Sequence, residues 1–215
     1  MSAASRKAAS ESKLLALGIP VNAGLPLIEA EEEVTLRTHE EVLQRLVALW
    51  AVVGKAVLRN ETKFTKYIVA HGLLPWLSEG ERRFLIDEQS SERESMQFSW
   101  QMEALFFVAW CAGLVEAAEV PSEESSVAGI LDLFPGPHEL PERLRAAIHL
   151  RPKAEILARA DLLYRLHWAV RNAQYTQTAP PAGVNGGVVQ EWHRAVNWVT
   201  RYNDEDNWDH VGTDT

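Results

Sequence analysis

The chain has 215 residues, 47% of them apolar and 24% charged, with a formal charge of −9 and eight tryptophans. These proportions suit one ordinary globular domain. They exclude a binder of phosphate backbones unless a basic patch exists, and the closest group, Arg143, Arg145, Arg151 and Lys153, is interleaved with Glu142 and Glu155.

Residues 1–10 are small and polar and read as a flexible tail, leaving 11–215 as a single helical domain. The opening MSAASRKAASESK has charge but no apolar run, so it does not read as a secretory signal. A short helix reaches Leu17, where Gly18 and Pro20 stop it, and Val21–Glu33 reads as an extended connection in which Val21–Ile28 could form a small strand. Val42, Leu46, Leu49, Val53 and Val57 recur at steps of three and four and predict a long helix from near Thr35, with Thr38 and Glu41 as a capping box or Thr35 as the cap. Asn60 and Thr62 end it. A further helix spans Lys63–Ala70, and Ser78 with Glu81 opens another that runs to about Gln89.

Ser91 and Glu94 repeat the capping device before a central helix expected over Glu92–Ala118, apolar nearly all round from Leu105 to Cys111 and so surrounded by other helices. Its apolar run Ala104–Val115 is bounded by Glu103 and Glu116 and falls short of the roughly 20 residues of a membrane span. Cys111 lies in this run and reads as a buried, inert thiol; as the lone cysteine it excludes an internal disulfide and fits a reducing cytoplasm. Short helices are expected from Ser122 to Phe134 and from Pro141 to His149. A long one starts with Pro152 as its first residue and ends near Tyr175, Thr178–Gly187 forms a solvated linker, and a final helix covers Val188–Tyr202.

Known catalytic and cofactor patterns are missing. His39-Glu40 starts like a zinc-protease helix, but position 43 is Leu, and no two histidines stand at helical ligand spacing. Ser99 lacks flanking glycines, and GVNGG at 183–187 lacks the lysine and leading strand of a phosphate loop. No metal and no cofactor is called for. The richest segment is PKAEILARADLLYRLHWAVRNAQY, where Ile156, Ala160, Leu163, His167 and Val170 share one face. Leu157, Asp161, Tyr164, Trp168 and Arg171 lie about 100° round from it. Asp161 and Arg165 are spaced to pair. The last helix adds Glu191, His193, Asn197 and Trp198, and the central helix adds Trp100 and Glu103.

Two readings of these residues stand side by side. One is a buried polar network that locks helix register. The other is a pocket that holds a polar ligand.

The blocks EILARADLLYRLHWAVRNA, FSWQMEALFFVAWCAGL, LSEGERRFL and NWDHVGTDT, with THEEVLQRLVAL and GIPVNAGLP, together resemble a bacterial family known as domain of unknown function 4272. The resemblance covers most of the chain. It implies one compact helical domain and carries no activity, cofactor or catalytic residue with it. The expectation is therefore an all-α, irregular multi-helix bundle around a buried central helix, with little or no sheet. Functionally, the chain reads as a non-enzymatic interaction or small-ligand-binding protein with a protein or small-molecule partner, and no nucleic acid or membrane. The alternative is an enzyme, for example a hydrolase, with its pocket between the 152–175 and 188–202 helices. The candidate cluster is Trp100, Glu103, Asp161, Tyr164, Arg165, His167, Trp168, Arg171, Glu191 and Trp198.

Overall fold

The computed structural model describes residues 1–59, 62–87 and 90–215. Among them the chain is all-α, with no strand, including at Val21–Ile28. Helices α1 (Ala3–Ala16), α2 (His39–Val57), α3 (Lys63–Ala70), α4 (Glu79–Ile86), α5 (Glu92–Ser99), α6 (Gln101–Cys111), α7 (Glu142–Ala147), α8 (Lys153–Tyr175) and α9 (Gly186–Val199) are joined by loops and short 3₁₀ segments. No helix of the described residues is long and apolar enough to cross a membrane.

The expected central helix is present as α6, whose residues from Glu103 to Cys111 are all buried. It packs between α2 and α9; α9 in turn packs on α8, and α8 on α1. Two cores result. The larger joins α2, α6 and α9, and a smaller one of Leu14, Ile19, Leu162, Leu166, Ala169, Val170, Val184 and Val189 fills the seam around α8.

Local chemistry explains the helix starts. Thr38, Ser78 and Ser91 each accept from the backbone N–H three residues on, and Glu41, Glu81 and Glu94 reach back to the cap amides, so all three capping boxes form. Thr38 rather than Thr35 caps α2. Packing decides other positions: a Cβ at Gly54 would sit 2.2 Å from the Phe64 ring, so α3 lies against α2 only because position 54 is bare.

Several boundaries differ from expectation. Residues 1–10 are helical from Ala3. Ser2 caps α1, and the Arg6 side chain is 1% exposed with its guanidinium donating to the Glu29 carbonyl. A main-chain acceptor far along the chain makes burial of that polar face tolerable. The central helix breaks at Trp100 and ends at Cys111 rather than Ala118. Gly113, at φ +73°, takes the left-handed position, Leu114 N–H donates back to Ala109 O at 2.9 Å, and His149 N–H and Arg151 N–H donate to the carbonyls of Ala112 and Cys111.

The helix expected from Ser122 is only a 3₁₀ segment at Ala128–Leu133, and the one expected from Pro141 is shorter, at Glu142–Ala147. Pro152 caps α8 instead of entering it. α4 ends at Ile86, while the expected end at Gln89 and the break at Asn60 lie outside the described residues. The linker expected through Gly187 ends sooner. Asn185 caps α9, and Gly186 and Gly187 are packed: added Cβ atoms would meet Val170 at 2.7 Å and the Trp100 ring at 2.9 Å. α9 ends at Val199, short of Tyr202.

Candidate functional site

The ten residues singled out from the sequence fall into separate neighbourhoods. Asp161 and Arg165 on α8 are 0% exposed and pair in a fork, with Arg165 Nε and Nη2 donating to the carboxylate at 3.0 and 2.8 Å. Arg165 also donates to Pro26 O at 3.1 Å and lies 3.6 Å from Glu11 of α1. This pair fastens α8 to α1 and the 26–29 segment, with Arg165 Nη1 buried and without a hydrogen-bond acceptor among the described residues.

His167 faces the other way, toward α9. Its Nδ1 lies 3.0 Å from Nδ1 of His193, whose Nε2 lies 3.3 Å from Asn197 Nδ2. Asn197 Nδ2 can only donate, so His193 accepts at Nε2, carries its proton on Nδ1 and donates to His167. Burial pulls His167 down to about 4, with help from Arg171, and His193 down to about 3, with help from His167. Both rings are therefore neutral at pH 7. A cavity of about 350 Å³ opens beside them between α8 and α9, lined by Tyr164, His193, Asn197 and the 26–29 segment. Asp161, Glu103 and Glu191 do not line it.

Glu103 on α6 accepts from Ser125 N–H at 2.7 Å and from the Trp192 indole at 3.1 Å. Glu191 lies farther along: burial raises its carboxyl, Arg194 offsets this in part, and the Glu103 charge adds to it. Trp100 is partly exposed at the α5–α6 junction, Trp168 is half-buried in the smaller core, and Arg171 is exposed.

Trp198 belongs to a different assembly. The Arg37 guanidinium lies over its ring at 4.8 Å, and its indole meets that of Trp208 edge-on at 6.0 Å. Arg45 and Arg194 lie over the Trp208 ring at 4.7 and 4.5 Å. Arg45 pairs with the fully buried Glu81, which also closes the α4 capping box at Ser78. Asp209 accepts from Ser78 Oγ at 2.7 Å and Gly80 N–H at 2.8 Å, so the WD pair near the end of the chain clamps the N-terminus of α4. Arg37 donates to Glu41, Asp206 and the carbonyls of Trp198 and Glu205, and Arg201 shares Glu41 and Asp206.

A cleft of about 460 Å³ opens on this assembly, lined by Arg37, Arg45, Ser78 and three indoles, Trp76, Trp198 and Trp208. Two of the lining residues carry buried donors, Arg45 Nε and Trp208 Nε1, that have no acceptor among the described residues. Glu41, one of the carboxyls lining this cleft, is held down to about 2. Burial would raise it, but hydrogen bonds from the Thr38 amide and hydroxyl and from Arg37, with Arg201 nearby, outweigh that. One signal for this site was present in the sequence: Arg45 stands between Val42 and Leu49 on the apolar stripe of α2, and a charge on a buried stripe needs a buried partner. Where that partner lay, at Glu81, depends on the tertiary arrangement.

The chain matches the family described as Domain of unknown function (DUF4272) over residues 6–211, and it belongs to that family. No curated protein and no solved structure matches it.

Proposed function

We propose that this member of a family of unknown function is a non-enzymatic small-ligand-binding protein, and that its ligand lies in the indole-walled cleft over Arg45 and Trp208. The observation that carries this reading is a pair of buried donors without acceptors, Arg45 Nε and Trp208 Nε1, on two residues that line a cleft with three indole walls. Unpaired buried donors cost about 1–3 kcal/mol each, and a ligand oxygen that accepts from them recovers that cost. Indole faces favour flat rings. The ligand is accordingly a flat compound bearing a carboxylate or carbonyl.

Binding fits better than catalysis. A general acid or base works best with a pKa near the operating pH, and Glu41, held down to about 2, is poorly matched to that task. The lone, buried Cys111, whose thiol burial pushes up, suits a reducing cytoplasm. The charge of −9 argues against a nucleic-acid partner.

Titration with benzoate, indole-3-carboxylate, nicotinamide and uracil, followed by intrinsic tryptophan fluorescence and melting temperature, tests the reading. At least one should quench saturably and stabilise the wild type, and Trp76→Ala, which removes one half-buried wall, should abolish the quench while leaving the fold intact. A wild type indifferent to the whole panel overturns it.

A further inference from the structure

Sharing Glu79 with the indole-walled cleft is a second, larger one of about 730 Å³, formed by α4, α5, the start of α6, α9 and residues 209–213. Its character is opposite. Gln101 and Glu191 line it, and Gln101 Oε1 and Glu191 Oε2 are buried acceptors with no donor among the described residues. Gln101 is 5% exposed. Glu191 has Arg194 no nearer than 3.7 Å, and that arginine is engaged with the Trp208 carbonyl at 2.9 Å. Glu79, Glu94, Glu191 and Asp209 set four carboxylates around the cleft against the guanidinium groups of Arg83 and Arg194.

We propose that this cleft is a second binding site, for an organic ammonium or guanidinium compound whose N–H groups donate to Glu191 and Gln101. Two orphaned acceptors of different type, an amide oxygen and a carboxylate, call for a ligand with at least two N–H donors. The excess of carboxylates calls for positive charge. A bare metal ion is disfavoured because no three His, Cys, Asp or Glu side chains among the described residues come together to hold one. The raised Glu191 carboxyl accords with an acid waiting for a cation: a bound ammonium would favour its ionised form.

The test is calorimetric titration of the full chain with agmatine and putrescine, with 1,4-butanediol as the neutral isostere and succinate as the anion. Agmatine should bind saturably, butanediol and succinate should not, and Glu191→Gln should weaken agmatine by about tenfold, as expected for a lost charge-assisted hydrogen bond. Gln101→Met, close in volume but without the acceptor, should weaken it less. In the wild type, binding at mildly acidic pH should release protons from Glu191, seen as a dependence of the heat on the buffer's ionisation enthalpy. Trp76→Ala should bind agmatine as the wild type does, which separates this site from the first. Succinate binding in place of agmatine, no amine binding, or an unchanged affinity in both Glu191→Gln and Gln101→Met overturns the proposal.

Discussion

Arg45→Met isolates the contact that joins α2 to α4 and to the end of the chain. Arg45 is 4% and Glu81 0% exposed, so removing the arginine strands a carboxylate in the interior with only the Ser78 amide for a donor. Breaking a buried pair from one side costs about 3–5 kcal/mol, and the cation over the Trp208 ring is lost with it. For a chain of this length each kcal/mol lowers the melting temperature by about 2–4 °C, so the expected fall is about 6–20 °C. The double variant Arg45→Met with Glu81→Gln keeps an acceptor for the cap amide and removes the stranded charge, and it should recover about half of the loss. Urea denaturation of wild type, both single variants and the double variant closes the cycle. An Arg45→Met chain within about 1 kcal/mol of wild type, or a double variant less stable than Arg45→Met alone, would refute the reasoning.

Acid should act first through the His167–His193 pair. Both imidazoles lie below their ordinary value of 6.5 in the fold, so the unfolded chain binds more protons than the folded one as pH falls below 6.5. Stability should therefore be lost on acidification from about pH 6.5, with a limiting slope of about 1.4 kcal/mol per pH unit for each histidine. Glu41 adds its own loss only below about 4.5, while Glu191, raised in the fold, works in the opposite sense and blunts the slope just above that value. Replacing both histidines by Gln should flatten the profile between pH 6.5 and 5, and a slope that persists there would assign it to other groups. Gly113→Ala should cost more than the roughly 1–2 kcal/mol of a left-handed alanine, because its Cβ would also sit 2.5 Å from the His149 carbonyl. Denaturation at equal pH checks this, and an unchanged midpoint would mean that the α6 terminus relaxes freely.

Local signals in the sequence were sufficient for the helix starts at Thr38, Ser78 and Ser91, because a capping box needs nothing beyond three residues. They were insufficient for α1 and for the end of α6. There the deciding partners are the Glu29 carbonyl and the 149–151 backbone, which reach these sites only through tertiary contact. The same distinction governs the candidate cluster. Asp161, Arg165, His167 and Trp168 are crowded along α8, but α8 lies between α1 and α9, so neighbouring side chains turn toward different partners. Trp198 stands in the candidate cluster, and Trp208 stands in the NWDHVGTDT block. The arginines that lie over them come from α2, α9 and the segment before α2, and only the fold brings these together.

The central claim is that the Trp208 indole N–H awaits an acceptor from a ligand. Its indole ¹⁵N–¹H resonance, assigned through Trp208→Phe, reports this directly. Trp192 serves as the internal control, since its indole already donates to Glu103 at 3.1 Å. On titration with the compound that quenches fluorescence, the Trp208 proton should move downfield in a saturable manner while that of Trp192 stays in place. A ligand that binds and shifts other resonances but leaves the Trp208 indole unmoved would contradict the account.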